Sequence, residues 1–285
     1  MKDISEDLIA EISQKSGFLN LGFASSTEAK TLTFAENERF LKIALENPNI
    51  VSILTTKELF FTSSEKGKLF ICTDPQAIFF GIHNQFGRES VPRAPSKIHE
   101  TAVIAGSAII AQHNVEIGPN VFIGEGCIVN EGVTISSDCN IQSGCVLGAD
   151  AIYVVKSIEG SRFLAKHYGT TYIGERVDIG ANTVVDKGIF PYEETKIGAG
   201  TFIGPLSNLS HGVEVGINNS IASGVNIAGY TKIGNNNWMG PSVTISHRIE
   251  IGSDNYISLG SVLLRSIENK TKVVGNKIFS DRKLF

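Results

Sequence analysis

Residues 197–252 read, in groups of six, IGAGTF IGPLSN LSHGVE VGINNS IASGVN IAGYTK IGNNNW MGPSVT ISHRIE IG. Every group opens on an aliphatic residue or methionine: Ile197, Ile203, Leu209, Val215, Ile221, Ile227, Ile233, Met239, Ile245 and Ile251. A step of six is neither the 3.6 of an amphipathic helix nor the 2 of a half-buried strand. It fits a short strand plus a corner, repeated, with the leading residue turned inward each time. Three such sides close a triangular coil of about 18 residues, whose neighbouring turns stack at roughly 4.8 Å.

The same step runs backward from this block through Ile179 and Ile173, with Pro191 as the one interruption. An earlier block carries Ile117, Ile123, Val129, Ile135, Ile141 and Leu147, and a still earlier one Ile98, Ile104 and Ile110. A second inward position falls four residues after each leading one. Cys127, Cys139 and Cys145 occupy it, beside Val121, Val133, Thr183, Thr201, Val225 and Val243. That makes the three cysteines small core residues. With Cys72 they form no CxxC pair, so no zinc site is expected and no metal-binding residues are assigned.

The flanks differ in texture. In residues 1–90, EDLIAEISQ and ENERFLKIALEN look helical, and NIVSILT and KLFICT look like strands. DPQAIFFGIHNQF reads as a helix with an Asp N-cap and Pro at its first position. A small α/β domain is expected there, GRESVPRAPSK leads into a coil over 98–268, and a polar tail follows over 269–285. Residues 148–172 are aperiodic and read as an excursion loop; long loops of this kind are usually functional. The net charge of -4 gives no reason to expect nucleic acid as a partner. No apolar run is long enough to span a bilayer. The acidic, amphipathic start lacks the regions of a signal peptide, so the expected location is cytoplasmic.

One feature of the coil points to chemistry. His211, Gly229 and His247 hold the same place in their hexads, two residues after Leu209, Ile227 and Ile245. They therefore stack along one edge, facing outward. A neutral imidazole can accept a proton near pH 7. A glycine N–H can be approached closely by a developing oxyanion. No nucleophile pair of the Ser-His-Asp or Cys-His kind is apparent, which favours direct attack over a covalent intermediate. A chance pair of solvated histidines is the alternative.

At family level the repeat resembles that of left-handed parallel β-helix proteins. The chain resembles the UDP-3-O-acylglucosamine N-acyltransferases of lipid A synthesis. The match rests on SKIHETAVIAGSA, GADAIYVV, IGERVDIGANTVVDKGIF, NLSHGVEVG and VNIAGYTKIG with ISHRIEIG, and covers almost the whole chain. The fold it implies is mainly β: a left-handed parallel β-helix of hexapeptide repeats with a small N-terminal α/β domain. The activity it implies is transfer of an acyl group from acyl carrier protein or CoA to the amine of a nucleotide-linked amino sugar, for lipid A or surface polysaccharide, with no permanently bound cofactor. The resemblance makes His211 the general base and Gly229 the oxyanion donor. His247 would line the substrate site. Phe34, Asn37 and Phe40 would clamp a uracil-type base, and Asp186 would touch the sugar. It also implies a homotrimer, with the 148–172 loop reaching a neighbour.

There are departures from the family. Its acidic Asp-Asn, seven and six residues before the base, is Gly204-Pro205 here, and its C-terminal helical extension is missing. The acceptor therefore need not be the lipid A precursor. Two other classes stay open. A metal enzyme like the γ-carbonic anhydrases also uses histidines two turns apart, but its third histidine would fall at Gly252. A non-catalytic solenoid that binds a partner is the other.

Overall fold

A computed structural model describes residues 12, 14–15, 17–63, 66–89 and 91–279. The helix expected over 6–14 lies almost wholly outside them. The chain divides into two compact units: Met1–Val91 with Ile152–Lys166, and Pro92–Ala151 with His167–Phe285.

The first unit holds a four-stranded parallel sheet, β1 (Asn20–Leu21), β2 (Thr31–Ala35), β3 (Ile50–Thr55) and β4 (Leu69–Ile71), in sequential order. Three helices accompany it: α1 (Glu38–Glu46), α2 (Lys57–Thr62) and α3 (Pro75–Phe86). The expected cap of α3 is present. Asp74 accepts from the Ala77 N–H at 3.2 Å, and Pro75, which has no N–H to lose, opens the helix. The short strands β1 and β2 and the helix α2 have no counterpart in the sequence reading.

The segment expected to be an irregular loop is partly regular. Val146–Ala149 and Thr170–Ile173 are strands of the coil, so the departure is shorter than 148–172. Within it, Val154–Lys156 pairs antiparallel with Arg162–Leu164. This hairpin is fastened to α3 of its own chain. Asn84 donates to the Leu164 carbonyl and accepts from the Lys166 N–H, both at 2.8 Å. His83 Nε2 donates to the Lys166 carbonyl at 2.8 Å, and Asp74 accepts from the Ile158 N–H at 2.6 Å. Tyr153 adds a ring to the cluster of Phe23 and Phe80. The hairpin groups with the first unit.

The second unit is the coil. Its strands form three parallel sheets in which every third strand is a neighbour. The register repeats every 18 residues, as in Leu209↔Ile227↔Ile245↔Leu263. All the leading residues from Ile197 to Leu263 are buried. Each hexad turns at its fourth residue, which takes a left-handed backbone: Gly212, Asn218, Gly224, Tyr230 and Asn236 in succession. Glycine and asparagine suit that conformation. The insertion at 187–193 lengthens one turn, so Val185 pairs with Leu209 and Ile173 with Ile197. Instead of a bare polar tail, Lys272–Val274 adds a parallel strand beside Tyr256–Ile257, and Lys277–Phe279 folds back antiparallel onto it.

Cys127, Cys139 and Cys145 are buried in the core as free thiols. Along another edge the second inward position is polar, holding the buried Asn219, Asn237 and Asn255. Each amide serves the next turn: the Asn237 N–H donates to Asn219 Oδ1 and the Asn255 N–H to Asn237 Oδ1, both at 2.9 Å. Asn237→Ala strands the Asn255 N–H in the core. It is expected to cost about 1–3 kcal/mol, read as a lower urea midpoint with the m-value unchanged.

Candidate functional site

The turn that follows Leu209 carries Ser210, His211 and the left-handed Gly212. One turn on come Ala228, Gly229 and Tyr230; two turns on, Ser246, His247 and Arg248. The stack inferred from spacing is present. The Tyr230 N–H donates to the His211 carbonyl and the Arg248 N–H to the Gly229 carbonyl, both at 3.0 Å.

His211 is half-buried and its ring lies against Gly229. A Cβ built on Gly229 would meet His211 Nε2 at 2.6 Å, Cε1 at 2.9 Å and Cδ2 at 3.0 Å. Only glycine leaves room for the imidazole in this pose. Among the described residues no acceptor takes the Gly229 N–H. A proton acceptor, Nε2, and a free backbone donor therefore sit side by side.

The surroundings set the protonation state. Burial, then the charges of His167 and Arg248, push the His211 pKa down to about 4. At neutral pH the ring is neutral and able to accept a proton. The buried His167 presents its ring to His211 edge to face, with centroids 5.7 Å apart. Tyr230 does the same from the other turn, at 5.1 Å. The Tyr230 hydroxyl donates to Glu193 Oε2 at 2.9 Å, and the Arg248 guanidinium lies 4.4 Å from the Tyr230 ring centroid. Glu193, half-buried and with its pKa raised mainly by desolvation, also accepts from the Ile189 and Phe190 N–H groups. Tyr230 and Arg248 hold left-handed backbones, φ 60° and 56°. That costs a side-chain-bearing residue about 1–2 kcal/mol, which the ring and guanidinium contacts beside His211 help to offset.

The other sequence-derived candidates fall as follows. His247 is exposed on the same edge, on the turn beyond Gly229. Asp186, which the resemblance places at the sugar, lies in the sheet beside the His211 turn. It is 6% exposed and stacks on Ser210, whose hydroxyl counters the rise that burial gives the Asp186 pKa. The reason is register: Val185 pairs with Leu209, so the next residues, Asp186 and Ser210, stack. Phe34, Asn37 and Phe40 belong to the first unit. Phe34 packs on Phe79 and Phe80, with centroids 5.0 and 5.9 Å apart. Asn37 caps α1, its Oδ1 accepting from the Phe40 N–H at 3.0 Å. Phe40 is exposed, with Arg39 5.8 Å from its ring centroid. No helix of the described residues is long and apolar enough to cross a membrane. No group of three His, Cys, Asp or Glu among them is placed to hold a metal ion.

Sequence reasoning missed Ser210, Tyr230, Arg248, His167 and Glu193. For Tyr230 and Arg248 a weak signal existed: bulky residues at a corner position that glycine and asparagine fill most often, though Arg176 and Leu206 hold it too. His167 and Glu193 lie in stretches without period and carried none.

The coil is a left-handed parallel β-helix built from hexapeptide repeats. Residues 114–149 match the family model described as bacterial transferase hexapeptide (six repeats). Among solved structures, the UDP-N-acetylglucosamine acyltransferase from Campylobacter jejuni is similar, with a TM-score of 0.52, 22% identity, and coverage of 64% of this chain and 73% of that one. A UDP-N-acetylglucosamine acyltransferase from Bacteroides fragilis aligns at a TM-score of 0.45 and 20% identity, over 64% of this chain and 73% of that one. A polySia-specific acetyltransferase aligns at 0.34 and 15%, over 65% of this chain and 82% of that one. No curated protein matches the chain by sequence.

Proposed function

We propose that the protein is an acyltransferase, moving an acyl group from a thioester of CoA or acyl carrier protein to the amine of a nucleotide-linked amino sugar. The observation that carries this reading is His211 Nε2 packed against Gly229, whose N–H no described acceptor takes. His211 takes the proton of the attacking amine. The Gly229 N–H receives the oxyanion that forms as nitrogen bonds to the thioester carbon. The imidazolium then returns the proton to the departing sulfur. The similar fold of an acyltransferase from Campylobacter jejuni supports the class of reaction. His247, on the next turn, faces the acceptor. In the first unit the exposed Phe40 ring and the Asn37 amide, with Phe34 behind, are proposed to hold the nucleotide base. The trimer implied by the family resemblance belongs to the same proposal.

Thermal-shift screening with UDP- and dTDP-linked amino sugars, followed by thiol release from CoA and acyl-carrier thioesters, tests it. The expected result is a raised melting temperature with an acceptor, and thiol release only when acceptor and thioester are both present. Turnover with UDP-N-acetylglucosamine, whose amine is blocked, would move the acceptor to a hydroxyl. No release with any pair would overturn the reading.

A further inference from the structure

We propose that Asp186, Ser210 and His211 form a hydrogen-bond relay in which the buried carboxylate, acting through the serine hydroxyl, decides which imidazole nitrogen of His211 is the base. The proposal rests on the acyltransferase reading for its consequence, but not for its test.

The relay follows from the lengthened turn. Because Val185 pairs with Leu209, Asp186 lies beneath Ser210. Ser210 Oγ is 3.1 Å from His211 Nδ1, and the register stacks the Asp186 carboxylate against the same hydroxyl, which would give the relay its second link. A serine hydroxyl has one proton to give. When Asp186 is ionised, that proton goes to the carboxylate, and only lone pairs remain for Nδ1. Nδ1 must then carry the imidazole proton, which leaves Nε2 bare. Nε2 is the atom that lies over Gly229. When Asp186 is protonated the chain reverses: the acid donates to Ser210, Ser210 donates to Nδ1, and Nε2 carries the proton. In that state the ring is neutral and cannot act as a base at Nε2.

Burial raises the Asp186 pKa to about 6, with the Ser210 hydrogen bond opposing and the like charge of Asp150 adding to the rise. Lys187 does not relieve it, since its ammonium pairs with Asp150 at 3.0 Å. Burial, then the facing His167 and Arg248, hold the His211 pKa near 4, and the Tyr230 ring packs edge to face beside them. Between about pH 4 and 6 the imidazole is therefore neutral but in the wrong tautomer. Above about 6 it is in the right one. In turnover the relay loses no proton: the amine proton passes to Nε2 and on to the leaving sulfur, while Nδ1–H stays on Ser210. Asp186 is a positioning residue.

The test is long-range proton–nitrogen NMR of the full chain labelled at histidine, with the His211 signal assigned against His211→Ala. The expected result is an Nδ1–H ring at pH 7.5, an Nε2–H ring at pH 5, and a change centred near pH 6. Asp186→Asn should abolish the change and Ser210→Ala should give Nε2–H throughout, whereas Ser210→Thr, which keeps the hydroxyl, should retain it. Asp186→Asn should also melt a few degrees above wild type at pH 7.5. A carboxyl whose pKa is raised on folding takes stability away as pH climbs from about 4 through about 6, and the amide escapes that loss. An Nε2–H ring at pH 7.5 in the wild type, or a change that survives Asp186→Asn, would overturn the relay. If the tautomer switch is present but no acceptor is ever acylated, the relay stands and the acyltransferase reading fails.

Discussion

His211→Ala is expected to lower kcat for acyl transfer by about 10²–10⁴, the usual worth of a positioned general base. That range corresponds to about 2.7–5.4 kcal/mol of lost transition-state stabilisation. The expectation rests on three features at once. The ring is neutral at pH 7, because burial and the neighbouring His167 and Arg248 hold its pKa near 4. Its Nε2 packs against Gly229, whose backbone N–H no acceptor among the described residues takes. Of the neighbouring imidazoles, His167 is buried behind the ring and His247 lies one turn beyond Gly229. The fold should not suffer. The strand residue of that hexad is Leu209, whose side chain fills the core, while His211 belongs to the corner. Circular dichroism and melting temperature should stay close to wild type. Near-wild-type turnover with the fold intact would remove His211 from the chemistry, and full biological function in the same variant would favour a solenoid that only binds.

How far the site could be read from the sequence depends on the period. The coil is legible because each turn repeats one requirement: an aliphatic residue inward, a left-handed corner three residues later. The stack of His211, Gly229 and His247 follows from the same arithmetic, since nothing is inserted between those turns. The pairing of Asp186 with Ser210 does not. Their separation includes the inserted residues 187–193, and stepping by 18 from Ser210 lands on Tyr192 instead of the acid. The resemblance marks Asp186 through the DKG segment, and only the sheet register shows that it also stacks under Ser210. The hairpin at 152–166 escaped for a related reason. Its strands of three residues are too short to show alternation, and they are held by polar groups of α3, Asn84 and His83, that only the folded chain brings near. The asparagine ladder ran against expectation because hydrophobic periodicity has no means of marking an amide that satisfies the backbone of the next turn.

Gly229→Ala should separate the imidazole's position from its presence. Gly229 lacks a left-handed φ, so alanine meets no backbone strain there. The obstacle is the ring alone. The three atoms nearest the added Cβ all belong to His211, the closest being Nε2 at 2.6 Å. Carbon and nitrogen need roughly 3.5 Å, so the imidazole must withdraw by about 1 Å. A half-buried side chain can do so at little cost to the fold, and the melting temperature should change by no more than a few degrees. The chemistry should respond far more. A displacement of this size costs on the order of 10²-fold in rate, and it also pulls Nδ1 off the Ser210 hydroxyl, now at 3.1 Å. Alanine keeps the backbone N–H, so the oxyanion donor survives the change. The decisive measurement is the double variant. If Gly229→Ala acts by moving the imidazole, its effect should vanish in a His211→Ala background, and the two losses should be strongly non-additive. Two full losses that simply add would mean that Gly229 shapes the acceptor site independently of the histidine.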